Sequence, residues 1–133
     1  MSSALKAGKN KMKSHKPKFV DKDWGSETWF ANNEQYNYCG KVLEIKKGKN
    51  TSMHFHVDKH EMFYVLEGTL RVDWINTKTA EKNTTFVKQG NCMEVEQGMP
   101  HSLIASTDSV KLIEASTFHR DSDSYRIKLE LFK

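Results

Sequence analysis

From residue 19 onward the chain consists of short runs rich in Val, Ile, Thr, Phe, Tyr and Trp, cut every eight to twelve residues by Gly, Asn, Asp or Pro. No stretch of ordinary helix length keeps a 3.6-residue apolar period, so this rhythm confines the fold to the all-β classes. The runs predict strands over 27–31, 38–46, 51–57, 61–67, 69–75, 84–87, 91–95, 101–105, 110–116 and 125–132. Turns at Lys47-Gly48, Glu67-Gly68, Gln89-Gly90 and Gln97-Gly98 separate several of them, each offering a glycine where a positive φ is cheap. Successive strand side chains point to opposite faces. Glu61, Phe63 and Val65 therefore share one face, and Leu70, Val72 and Trp74 lie opposite Arg71 and Asp73. Many short strands without helices leave a sandwich or a barrel.

At 133 residues one domain is expected. The net charge of +4 sits at one end: residues 1–18 carry six lysines and no acid, and residues 19–133 carry 15 basic and 17 acidic residues. The division expected is a basic, disordered tail over 1–18 and a β-barrel domain over 19–133. A slightly acidic barrel argues against nucleic acid as a partner. No run approaches a membrane span, and the Lys-rich start lacks the apolar core of a secretory signal, so membrane partners are not expected. Cys39 and Cys92 give no disulfide framework and are expected to be buried free thiols, which points to a reducing, cytoplasmic location.

The stretch with chemical content is Gly48 to Glu61, closed by Gly68. His54 and His56 stand at i and i+2 of a strand, so both imidazoles share a face and converge on one point. Glu61 opens the return strand facing inward and can add a carboxylate oxygen. Downstream, Gly90 to Pro100 delivers His101 at the start of another strand as a fourth donor. Three imidazoles and a carboxylate suit a divalent Mn, Zn, Ni or Fe ion with coordination positions left open for substrate. His60 is expected to face outward. His15 and His119 have no partner at ligand spacing and are expected to be solvated.

These two stretches resemble the two motifs of the cupin superfamily, G-x5-H-x-H-x3,4-E-x6-G and G-x5-P-x-G-x2-H-x3-N. Gly48, His54, His56, Glu61 and Gly68 match every fixed position of the first. Gly90, Gly98 and His101 match the second, whereas Glu96 stands at its proline and Ala105 at its asparagine. The resemblance implies a cupin double-stranded β-helix, a jelly-roll-like barrel, with the metal on His54, His56, Glu61 and His101. A narrower likeness runs through Trp24 to Trp29, the H-x-H-x-x-K-x-E run, Glu114 to Thr117 and Asp121 to Arg126. It resembles small, single-domain mannose-6-phosphate isomerase-like cupins and implies carbohydrate metabolism. Cupins commonly build dimers with N-terminal strands, which here carry Trp24 and Trp29, so a homodimer is expected.

A metal that chelates a sugar's carbonyl and neighbouring hydroxyl polarises the C–H between them, and a base can then move the proton through an enediol. Lys59 is the candidate cation for the developing oxyanion. Glu114, Glu44 and Glu94 are candidate bases, with Glu114 preferred. Tyr125 and Arg126 either bind a hydroxyl or phosphate or cap the last strand. The expected function is a metal-dependent sugar or sugar-phosphate isomerase or epimerase. Two alternatives stay open: an Fe(II)-dependent dioxygenase, because histidines with a carboxylate also serve oxygen chemistry, and a non-catalytic sugar-binding barrel.

Overall fold

A computed structural model describes residues 11–128. Eleven strands follow in chain order: β1 (Lys18–Lys22), β2 (Gly25–Asn33), β3 (Tyr38–Ile45), β4 (His54–Phe55), β5 (Glu61–Glu67), β6 (Thr69–Ile75), β7 (Lys82–Lys88), β8 (Cys92–Val95), β9 (His101–Ile104), β10 (Val110–Ser116) and β11 (Tyr125–Arg126). A 3-10 turn, Asp121–Asp123, precedes β11. Six strands form one sheet in the order β1-β2-β3-β10-β5-β8, and five form the other as β11-β4-β9-β6-β7. Every pairing is antiparallel, giving the expected cupin jelly roll.

The inward positions of the larger sheet explain both its stability and its cavity. At one end Leu43 and Ile45 of β3, Val110 and Leu112 of β10 and Val65 of β5 pack against Leu70, Val72 and Leu103 of the facing sheet, all of them buried. Each such side chain contributes on the order of 1.5–3 kcal/mol by leaving water. Further along each strand the inward positions turn polar: Lys41 on β3, Glu114 and Ser116 on β10 and, beyond buried Phe63, Glu61 on β5. The register aligns them, with Lys41 opposite Glu114 and Ser116 opposite Glu61. One end of the sandwich is therefore dry core and the other a polar pocket.

Several expected boundaries move. The strand expected over 51–57 shrinks to His54–Phe55. Side-chain bonds take over the ladder there: Ser102 Oγ donates to the Thr51 carbonyl at 2.6 Å and Leu103 N–H to Thr51 Oγ1 at 2.9 Å. The last strand, expected over 125–132, covers Tyr125–Arg126, and residues 129–132 of that expectation lie outside the described residues. β1 was not anticipated; its first residue, Lys18, already pairs with Trp29. Residues 1–10 of the expected tail also lie outside the described residues. Cys39 is buried as expected, but Cys92 is exposed, because β8 is the edge of its sheet and Cys92 points away from the core.

Candidate metal centre and active site

His54 and His56 flank the short β4, and His101 opens β9 directly opposite His54. One ring nitrogen from each of the three lies within 4.8 Å of the others. The backbone holds each ring in the same tautomer. His54 Nδ1 donates to the Ser52 carbonyl at 2.7 Å, His56 Nδ1 to that of Asp123 at 2.8 Å, and His101 Nδ1 to that of Met99 at 2.9 Å. With Nδ1 carrying the proton, all three Nε2 lone pairs are left to face the cavity, the arrangement that prepares imidazoles for a metal.

Glu61 completes the group. Its Oε1 is 3.6 Å from His56 Nε2 and its Oε2 is 3.2 Å from His101 Nε2. The second pair is close but out of line for a hydrogen bond, and both of its atoms are buried without a partner. Two buried acceptors facing each other are unfavourable unless a cation stands between them. The donor set therefore fits a divalent ion: His54, His56 and His101 would supply nitrogen and Glu61 oxygen. The titration directions differ among these groups. Burial, helped by His101, lowers the His54 pKa to about 3, and burial also lowers that of His56. Burial disfavours charge on His101 too, but contact with Glu61 more than offsets this and raises its pKa. Burial alone would raise the Glu61 pKa, yet His101 and Lys59 push it well below the carboxylate range.

Beside this group lies a buried ion triad. Lys59 Nζ is 2.6 Å from Glu114 Oε2 and 3.1 Å from Glu61 Oε1. Burial opposes its charge, but Glu114 and Glu61 outweigh burial and raise the Lys59 pKa. Lys59 is thus no surface turn residue: it is 3% exposed. Of the three candidate bases only Glu114 faces the cavity. Glu44 pairs with Lys111 on the outer face, and Glu94 pairs with His60 at 2.7 Å, which also places His60 outward as expected. Phe55 faces away from the ligands and stacks on Tyr125, so Tyr125 caps the strand while Arg126 lines the cavity.

Two residues escaped the sequence reading. His119, expected to be solvated, sits in the cavity wall: Lys59 Nζ donates to its Nδ1 at 3.0 Å and its Nε2 donates to Asp121 at 2.9 Å. Burial, with Lys59 and Lys41 nearby, lowers its pKa to about 4 despite Asp121. Asp123 is the organiser of the ligand loop. Its carboxylate accepts N–H bonds from Val57, Asp58 and Lys59, and its carbonyl holds His56. Burial raises the Asp123 pKa, but these N–H groups prevail and lower it. The cavity encloses about 400 Å³ and is lined mostly by charged and polar groups. The second motif's departures leave its turn intact: Gly98 keeps a positive φ and donates to the His56 carbonyl, and Ala105 is tied by backbone bonds to Gly48 and Lys49.

The cupin domain family matches residues 41–115. The chain belongs to the cupin family, and the matched residues include His54, His56, Glu61 and His101. No curated protein matches the chain. Among solved structures it resembles the capsular polysaccharide assembling protein CapF from Staphylococcus aureus, at 20% identity and a TM-score of 0.75 over 86% of this chain and 35% of that one. It also resembles the oxalate decarboxylase from Bacillus subtilis, at 18% identity and a TM-score of 0.74 over 86% of this chain and 31% of that one. The chain thus spans about a third of either protein, and the likeness is one of fold. Among the described residues no helix is long and apolar enough to cross a membrane.

Proposed function

We propose that this cupin is a metal-dependent isomerase or epimerase acting on a sugar or sugar phosphate, with the metal on His54, His56, Glu61 and His101. The observation that carries the reading is the buried Lys59 ammonium, 2.6 Å from Glu114, inside the cavity that the three imidazoles face. A carboxylate base and a fixed cation beside a metal centre are the parts that proton transfer next to a carbonyl requires. When bound, the metal would chelate the carbonyl and neighbouring hydroxyl and acidify the C–H between them.

Glu114 takes that proton, and Lys59 steadies the negative charge that develops on the substrate oxygen. The same carboxylic acid then returns the proton to the adjacent carbon while the neighbouring hydroxyl's proton passes to the former carbonyl oxygen, giving the isomer; an epimerase requires instead a second acid that protonates the original carbon from the opposite face. His119 holds the Lys59 ammonium toward the cavity. CapF's printed role in capsular polysaccharide assembly agrees with a sugar-derived substrate. Exposed Phe19 and Phe30, on the β1 and β2 side of the sheet, support a homodimer through the N-terminal strands, and two free thiols support a reducing, cytoplasmic setting.

The test is solvent exchange. The Mn, Zn, Ni and Fe forms are incubated without oxygen in D2O with aldoses, ketoses and their phosphates, and deuterium at the carbon beside the carbonyl is followed by NMR. Exchange is expected, with a loss of about 100-fold or more in Glu114→Gln. A metal-loaded protein that exchanges none of them would overturn the reading; oxygen uptake by the Fe(II) form would replace it with a dioxygenase.

A further inference from the structure

Lys41 is a buried lysine of the cavity wall that the proton-transfer chemistry leaves unused. It is 3% exposed and projects inward from the middle of β3, opposite Glu114. Its Nζ lies 3.9 Å from the ring centroid of Trp29 and 3.7 Å from Glu27 Oε1. That Glu27 oxygen already accepts the Trp29 indole N–H at 2.8 Å. Among the described residues, Lys41 Nζ has no acceptor within hydrogen-bonding distance. The protein thus gives it an aromatic face and a longer ion pair, and leaves its N–H donors without a hydrogen-bond acceptor. The ammonium tip meets the cavity rather than the core, and an apolar side chain of similar volume would serve packing better.

The support beneath it is rigid. Trp29 is fixed by its bond to Glu27, by the edge of His119 at 4.9 Å and by Lys18 over its ring at 5.2 Å. Lys41 therefore stands at a fixed place on the cavity wall, one strand over from Glu114. Lys22 and Arg126, both exposed, line the same cavity and add positive charge on its approach.

We infer that Lys41, mounted on Trp29, is a specificity residue that clasps an anionic oxygen group of the substrate, a phosphate or a carboxylate. The inference rests on the cavity being the substrate site and names the substrate class: a charged sugar derivative in preference to a neutral sugar. The anion's oxygens accept the N–H bonds that the protein withholds from Lys41, while the rest of the molecule reaches past Glu114 toward the histidines.

The experiment titrates inorganic phosphate, acetate and, as a neutral control, glucose into the full chain at constant ionic strength, reading tryptophan fluorescence, with Trp29→Phe to assign the signal. Phosphate, acetate or both should bind to the parent, and the preferred one names the group. Lys41→Met should weaken that binding about tenfold or more, Lys41→Arg should keep most of it, and Lys41→Met should melt at or above the parent temperature. A Lys41→Met protein that melts lower yet binds the anion like the parent would make Lys41 a structural residue and end the proposal. So would a parent that responds to neither anion. Lys41→Gln substitutes if the methionine variant fails to fold. Anion binding by the parent is read whether or not any sugar exchanges deuterium, so the two claims stand or fall separately.

Discussion

Asp123 decides the shape of the loop that carries His56 more than any of the clustered histidines does. Its carboxylate satisfies the backbone N–H groups of Val57, Asp58 and Lys59, and its own carbonyl fixes the His56 tautomer. Asp123→Ala strands those donors, and a loss of about 2–4 kcal/mol is expected, measured by urea denaturation. His119 makes a pH prediction. With its folded pKa lowered to about 4, against an ordinary value of ~6.5, the unfolded chain binds the proton more readily. Its contribution to stability is thus present above pH ~6.5 and is lost as pH falls toward 4. His119→Gln should flatten the fall in stability over that window by at most about 1.4 kcal/mol per pH unit; an unchanged slope would contradict the assignment. Neither residue was legible beforehand. Asp123 meets His56 across 67 positions and His119 meets Lys59 across 60, through a turn with no period to read. His54, His56, Glu61 and His101 were legible because strand parity and motif spacing both mark them. Their meeting in space supports the ligand assignment.

At the scale of elements, the corner from β5 to β6, where the chain passes from one sheet to the other, carries a sharp steric requirement. Gly68 joins the two strands at φ +82°, and a Cβ there would lie 2.5 Å from the Ser109 carbonyl oxygen. Gly68→Ala combines left-handed strain with a backbone clash, so a loss of about 1–3 kcal/mol is expected in thermal or chemical melts. Near-parent stability would mean that the turn relaxes. Strands with one buried face were readable to the residue: β5, β6 and β10 have the expected ends because apolar and polar positions alternate through them. β4 failed because Thr51, Ser102 and Asp123 bond the chain around it from outside the ladder. β1 was missed because it is a charge-rich edge strand, in which only Val20 is partly covered.

Across the whole molecule, a single design links stability to chemistry: the same inward strand positions that are apolar at one end of the sandwich become Lys41, Glu61 and Glu114 at the other. Two sheets that bury a shared core hold these groups at fixed separations, which is the condition for a preorganised polar site. The central claim is that this end holds a divalent metal on His54, His56, Glu61 and His101. The direct measurement is elemental analysis of untagged protein beside a His54→Ala, His101→Ala double variant. The account predicts near-stoichiometric Mn, Fe, Ni or Zn in the parent and its loss in the variant. A parent that stays metal-free after incubation with each of the four ions would contradict it.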